Sequence, residues 1–136
     1  MVEIRTYKKA DFQLVKQILE LGKLYYERTD NEQELERKIQ RDPNSILVAI
    51  EDGKIVGTQF IVEDFMSFLF RLAVHPDYRR KGIGRTLMQK GEEILRHRGH
   101  RDINILVAAE DEELQNLYER FGYEKGHKYV WMVKQF

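Results

Sequence analysis

A chain of 136 residues with 42% hydrophobic content is enough for a single domain, 1–136, around one apolar core. Lys plus Arg and Asp plus Glu balance at 23 each, which argues against a nucleic-acid or membrane-surface partner. The absence of cysteine removes disulfides, thiolate metal sites and a cysteine nucleophile.

Val2-Glu3-Ile4-Arg5 alternates as a short strand and is unlike a signal peptide; with no long apolar run in the chain, a cytoplasmic location is expected. Phe12, Val15, Ile18 and Leu19 follow helical spacing, which predicts a first helix from Ala10 to Leu21 closed by Gly22. Tyr25 and Tyr26 follow between helices, where they either wall an acceptor pocket or cap the core. Thr29-x-x-Glu32 reads as a capping box opening a second helix to about Gln40, with only Leu35 and Ile39 facing inward. Ile46–Glu51 and Lys54–Val62 are predicted strands joined by an Asp52-Gly53 turn, and Phe68–Val74 is a central strand covered on both faces. A third helix runs from about Ile83 to Arg98. Its Gly91 costs about 1 kcal/mol of helix stability, tolerable if it permits close packing on the sheet. Ile103–Ala109 reads as another buried strand, Glu112–Phe121 as a helix ended by Gly122, and Lys128–Lys134 as a last strand through Tyr129, Trp131 and Val133. The order β-αα-βββ-α-β-α-β predicts a mixed α/β fold with helices flanking one sheet. The aromatic last strand offers an edge for a homodimer.

The densest chemistry lies between the central strand and the third helix. After His75-Pro76 comes Arg79-Arg80-Lys81-Gly82-Ile83-Gly84, then the helix. Strand, glycine loop and helix start aim successive backbone N–H groups at one point on the positive end of a helix dipole. Bare glycines admit close approach, so the stretch suits a phosphate or pyrophosphate. The competing reading is a solvated basic turn. No Walker string is present, and Gly82-x-Gly84 lacks the third glycine of a dinucleotide fingerprint.

Arg79-x-x-Gly82-x-Gly84 after Leu72-Ala73-Val74 resembles the acetyl-CoA signature of the GCN5-related N-acetyltransferase (GNAT) superfamily. Leu117-Tyr118-Glu119-Arg120-Phe121-Gly122-Tyr123 is similar to that family's second landmark, a tyrosine before a Gly-aromatic pair. Within the superfamily the chain looks most like small YpeA-type and ribosomal-protein-alanine acetyltransferase-like members. The resemblance implies an enzyme moving an acetyl group from acetyl-CoA to an amine, either a small molecule or a peptide or protein amino group. The alternative is an acyl-CoA-sensing module without turnover.

On that reading the main chain of Arg79, Arg80, Lys81, Gly82, Ile83 and Gly84 holds the pyrophosphate, with charge from Arg79 and from Arg80 or Arg85. Backbone N–H groups of Leu72, Ala73 and Val74 hold the thioester carbonyl and pantetheine amides. They must leave the sheet ladder to do so, which predicts a bulge or splay between this strand and Ile103–Ala109. Tyr118 matches the family's general acid; read by periodicity alone it is one more inward aromatic. The base is open. Where relatives carry a glutamate early in the central strand, this chain has Ser67 and Phe68. Glu63 or Asp64 just before it, His75, Glu110, Asp111 or ordered water are the alternatives. Asp111 stands where the family often has a cofactor-contacting asparagine, and an acid there repels phosphate. Glu27, Glu63, Asp64 and Glu124 would give an acidic rim favouring cationic amines. No metal site is expected.

Overall fold

The computed structural model describes residues 2–136, so Met1 of the expected 1–136 domain lies outside the described residues. The chain forms two compact units, one ending at Ile105 and one spanning Leu106–Phe136.

In the first unit, β1 (Glu3–Thr6), β2 (Ile46–Glu51), β3 (Lys54–Glu63) and β4 (Ser67–Val74) pair antiparallel in the order β1-β2-β3-β4. Asp52 and Gly53 turn the β2–β3 hairpin at φ +53° and +72°, the paired left-handed geometry that matches strand twist. Four helices accompany the sheet: α1 (Phe12–Leu21), the single turn α2 (Glu27–Asp30), α3 (Glu32–Arg41) and α4 (Ile83–His97). One face of the sheet packs Ile46, Val48, Phe60 and Ala73 against Phe12, Val15, Ile18 and Leu19 of α1 and Leu35 of α3. Buried Leu87, Met88 and Leu95 mark the inner side of α4, which packs on β3 and β4. Gly91 is where α4 comes closest. A Cβ there would stand 2.9 Å from Gln59 Oε1 and 3.0 Å from Leu69 Cδ2, so the bare backbone permits the approach.

Two helix starts differ from the sequence expectation. Asn31, not Thr29, caps α3, accepting from the Glu34 N–H at 3.0 Å. Thr29 is taken into α2, where its hydroxyl donates to Asp30 Oδ1. Lys9–Asp11 forms a tight 3₁₀ turn, and α1 proper begins only at Phe12.

The second unit holds α5 (Glu112–Arg120), capped by Asp111 and released at Gly122 with φ +96°. The two late strands differ from expectation. Asn104 makes one parallel bridge to Phe68, and residues 105–109 and 124–136 join no strand. Alternation records which side chains are apolar, whereas a strand requires a second backbone about 4.8 Å away to complete its ladder. Across the described residues no helix is long and apolar enough to cross a membrane.

Candidate active site

β4 sets the geometry of the first unit's site. Its register against β3 runs Phe60↔Phe70 and then Thr58↔Ala73, so Arg71 and Leu72 together oppose Gln59. This is a β-bulge, and Arg71 sits in it at φ +57°. The extra residue changes which way the strand faces. Leu69 points toward Gly91 of α4, Phe70 and Ala73 pack on the α1 side, and Leu72 and Val74 return to α4 at Gly84. Among residues up to Ile105, the outer edge of β4 is bridged at Phe68 and at no later position. The bulge therefore lies in the pairing with β3, not between β4 and Ile103–Ala109, where the sequence predicts a bulge or splay.

Beyond Val74 the chain turns sharply. The His75 N–H donates to Val56 O at 2.8 Å, and His75 Nδ1 accepts from the Asp77 N–H at 3.1 Å, opening a 3₁₀ turn at Pro76–Tyr78. That fixes His75 as a turn residue. Arg79 Nε donates back to Val74 O at 3.0 Å, while Arg79, Arg80, Lys81 and Arg85 are all exposed. Arg80 and Gly82 adopt φ +63° and +78°, and Gly82 forms the start of α4 without a side-chain cap. Buried Ile83 anchors the first turn of the helix, whose opening amides have no intrahelical acceptor. Gly84 needs no left-handed φ, and a Cβ there would meet Val74 Cγ2 at 3.7 Å and Leu72 Cδ2 at 3.9 Å, ordinary contacts. Neither backbone nor packing explains glycine at 84.

On the α1 side, the Tyr25 hydroxyl donates to Glu27 Oε2, and burial and that carboxylate push its pKa up. Tyr26 is exposed, but its backbone N–H donates to the buried Asp30 carboxylate at 2.9 Å. Arg71 Nε reaches the same Oδ2 at 2.9 Å. Neither Arg71 nor Asp30 stands out by motif. The available signal was a single charge inside the apolar run Phe68–Val74.

Glu63 and Asp64 lie elsewhere. Glu63 pairs with Ser67 at the start of β4. Five residues separate Ser67 from Leu72, about 16 Å at strand rise, which is too far for direct contact with a thioester held at Leu72. Glu63 is also engaged: its Oε1 accepts from Arg98 Nη1 and its Oε2 meets His100 Nε2, each at 2.5 Å. Burial opposes ionisation of Glu63, but these partners outweigh it and hold the carboxyl below its usual range, which makes it a poor base. Asp64 is exposed in the adjoining turn, where its N–H donates to Met66 O. Beside Glu63 a groove of about 500 Å³ is lined by Lys38, Arg41, Asp42, Ser45 and Arg98. It sits at the end of β3 where Glu63 lies, away from the glycine loop. Burial lowers the Lys38 pKa to about 8, with its Nζ donating to Ile61 O.

In the second unit, Asp111 is spent on structure. Its Oδ1 accepts from the Leu114 N–H at 3.0 Å at the start of α5. The charge sits at the start of a helix, where the dipole favours it. Tyr118 stands edge-on to Phe121 and Tyr123 at 6.3 and 6.1 Å between ring centres. Burial first, and the Asp111 charge second, raise its pKa. A phenol so placed keeps its proton at neutral pH, as a general acid must. Glu110 belongs to the turn before the helix. Among the described residues no His, Asp and Glu cluster could hold a metal.

The first unit thus combines, in an α/β fold, an uncapped helix start behind a basic glycine loop with a bulged strand. The chain's family is established by comparison. The model of the acetyltransferase (GNAT) family matches residues 15–123, and the chain belongs to that family. An acetyltransferase of Sodalis glossinidius is 35% identical over 124 residues, 90% of this chain and 87% of that protein. One from Pectobacterium atrosepticum is 34% identical over a similar span, covering 88% of its length. Among solved structures, Ard1 from Thermoplasma volcanium superposes with a TM-score of 0.81 at 20% identity, over 93% of this chain and 84% of that one. The PaiA N-acetyltransferase from Thermoplasma acidophilum, in complex with coenzyme A, gives 0.78 at 20% identity, over 91% and 90%. These structures share the fold. The chain is an N-acetyltransferase, with acetyl-CoA the co-substrate of its family.

Proposed function

We propose that acetyl-CoA binds with its pyrophosphate on the main chain of Arg79 to Gly84 and its pantetheine arm along the outer edge of β4. The observation that carries this reading is Gly84, a glycine at an uncapped helix start that needs neither a special φ nor relief from crowding. Arg79, Arg80, Lys81 and Arg85 supply the surrounding positive charge. The acetyl group would sit by the bulge, where N–H groups from Leu72 to Val74 polarise its carbonyl. The acceptor nitrogen then replaces the coenzyme A sulfur on the acetyl carbon. Tyr118 donates its phenolic proton to the departing sulfur. Before the attack water takes one ammonium proton, because Glu63 and Asp64 lie too far along the strand. The second proton, released from the nitrogen as the amide forms, restores the Tyr118 phenol through solvent.

Tyr25 and Tyr26 form the acceptor wall, and the Glu27 carboxylate bonded to Tyr25 favours a cationic amine, either a small molecule or a peptide amino group. Residues 1–136 act as one acetyl-transfer domain. The family match supports this by running across the boundary at Ile105. The domain works in the cytoplasm.

The test is thiol release from acetyl-CoA with a panel of neutral and cationic amines, for wild type and Tyr118→Phe. The variant should bind acetyl-CoA normally and lose about 100-fold or more in kcat. Binding without thiol release from any amine would favour the acyl-CoA-sensing alternative.

A further inference from the structure

We propose that Arg71 is a positioning residue that ties the acceptor wall to the acetyl-bearing stretch of β4; this rests on the site assignment above. In an unbulged strand Arg71 would follow the alternation of Leu69 and Phe70 and point toward α4. Its φ of +57° instead turns it to the α1–α2 side, beside Phe70. An arginine has no intrinsic preference for the left-handed region, so its contacts must hold it there. Those contacts all belong to α2. Arg71 Nε donates to Asp30 Oδ2 at 2.9 Å, and Nη2 approaches Thr29 Oγ1 at 3.4 Å.

Asp30 is the hinge pin. It is 3% exposed, and its Oδ2 takes both the Arg71 guanidinium and the Tyr26 N–H, each at 2.9 Å. α2 is one turn long, too short to persist by its own hydrogen bonds. A buried carboxylate without its counter-charge must take up a proton or move to water, and either change frees the turn. The residue that makes the bulge thus also holds Tyr25 and Tyr26 at a set distance from the acetyl carbonyl. Proximity of the two reactants would be fixed by one ion pair.

The test uses Arg71→Gly, which accepts the same φ but lacks the tie, with Arg71→Lys and Asp30→Asn as milder variants. Acetyl-CoA affinity by calorimetry should stay within twofold in Arg71→Gly, while KM for the amine rises at least tenfold; Arg71→Lys should recover part of that loss. Hydrogen exchange of the Tyr26 and Asp30 amides should quicken at least tenfold, with β2 and β3 amides unchanged. Equal losses for both substrates, or unaltered exchange at Tyr26, would overturn the proposal. Wild-type protein that neither binds acetyl-CoA nor releases thiol would defeat the site assignment instead, and the exchange measurement would still report on the tie.

Discussion

Replacing Gly84 by alanine should stabilise the protein and weaken its hold on acetyl-CoA. Gly84 is the second residue of α4, outside the left-handed region, and an added Cβ lies 3.7 and 3.9 Å from the side chains of Val74 and Leu72. Alanine removes glycine's conformational cost in a helix, worth about 0.5–1 kcal/mol. For a chain of this size that is a rise of roughly 2–5 °C in Tm. The same methyl occupies the space in which a phosphate oxygen would approach the backbone. Loss of one or two charge-assisted hydrogen bonds, about 1.5–3 kcal/mol each, weakens binding by roughly 10- to 100-fold or more. Gly82→Ala is the counterpart. Its φ of +78° makes alanine strained by about 1 kcal/mol although nothing lies within 4 Å of the new Cβ, so Tm should fall. Thermal melts and calorimetric titration of acetyl-CoA on the three proteins decide the matter. A more stable Gly84→Ala that binds acetyl-CoA within twofold of wild type would refute the reasoning.

Gly91→Ala should destabilise by about 1–3 kcal/mol, since its Cβ would press on Gln59 Oε1 and Leu69 Cδ2; urea melts read this directly, and an unchanged midpoint would contradict the packing. Arg98 holds the carboxyls of both Asp42 and Glu63 below their usual range. A lowered carboxyl pKa contributes stability above the unfolded value near 4 that is lost as pH falls. Arg98→Met should therefore be less stable than wild type at pH 7, the two converging toward pH 2–3; a constant gap in urea melts across that range would exclude the linkage. Lys38, with its pKa lowered to about 8 by burial, acts in the same direction over a higher window: wild-type stability should rise between about pH 8 and 10.5, and Lys38→Met should lack that rise. Titration of the Lys38 side chain by NMR should show a midpoint near 8, against one near 10.4 for an ordinary lysine.

Much of the first unit is legible in the sequence because local chemistry dictates it. Asp52-Gly53 specifies a left-handed turn, Phe68–Val74 a covered strand, and Gly82-x-Gly84 a bare helix start. The sequence predicts a bulge or splay between β4 and Ile103–Ala109, whereas the bulge lies on the other side of β4, in its pairing with β3. A bulge is fixed by a pairing register, and Arg71 carries no local turn signal. Glu63 was attractive by chain proximity to the central strand. Pairing reverses that impression, since the residue joining β4 through a short turn lies at the strand's far end from Leu72. Asp111 likewise follows from local rules, as an acid directly before a helix more readily caps it than meets a phosphate. The alternation of Lys128–Lys134 shows the limit, because apolar periodicity supplies no partner for the backbone.

The central claim is that coenzyme A phosphates sit on the main chain that opens α4. An amide-resolved NMR titration with coenzyme A tests it most directly. The account predicts the largest shifts at residues 79–85 and 72–74, all absent in a folded Gly82→Glu, Gly84→Glu double variant. Shifts confined to the groove of Lys38, Asp42 and Arg98, and retained in the double variant, would contradict it.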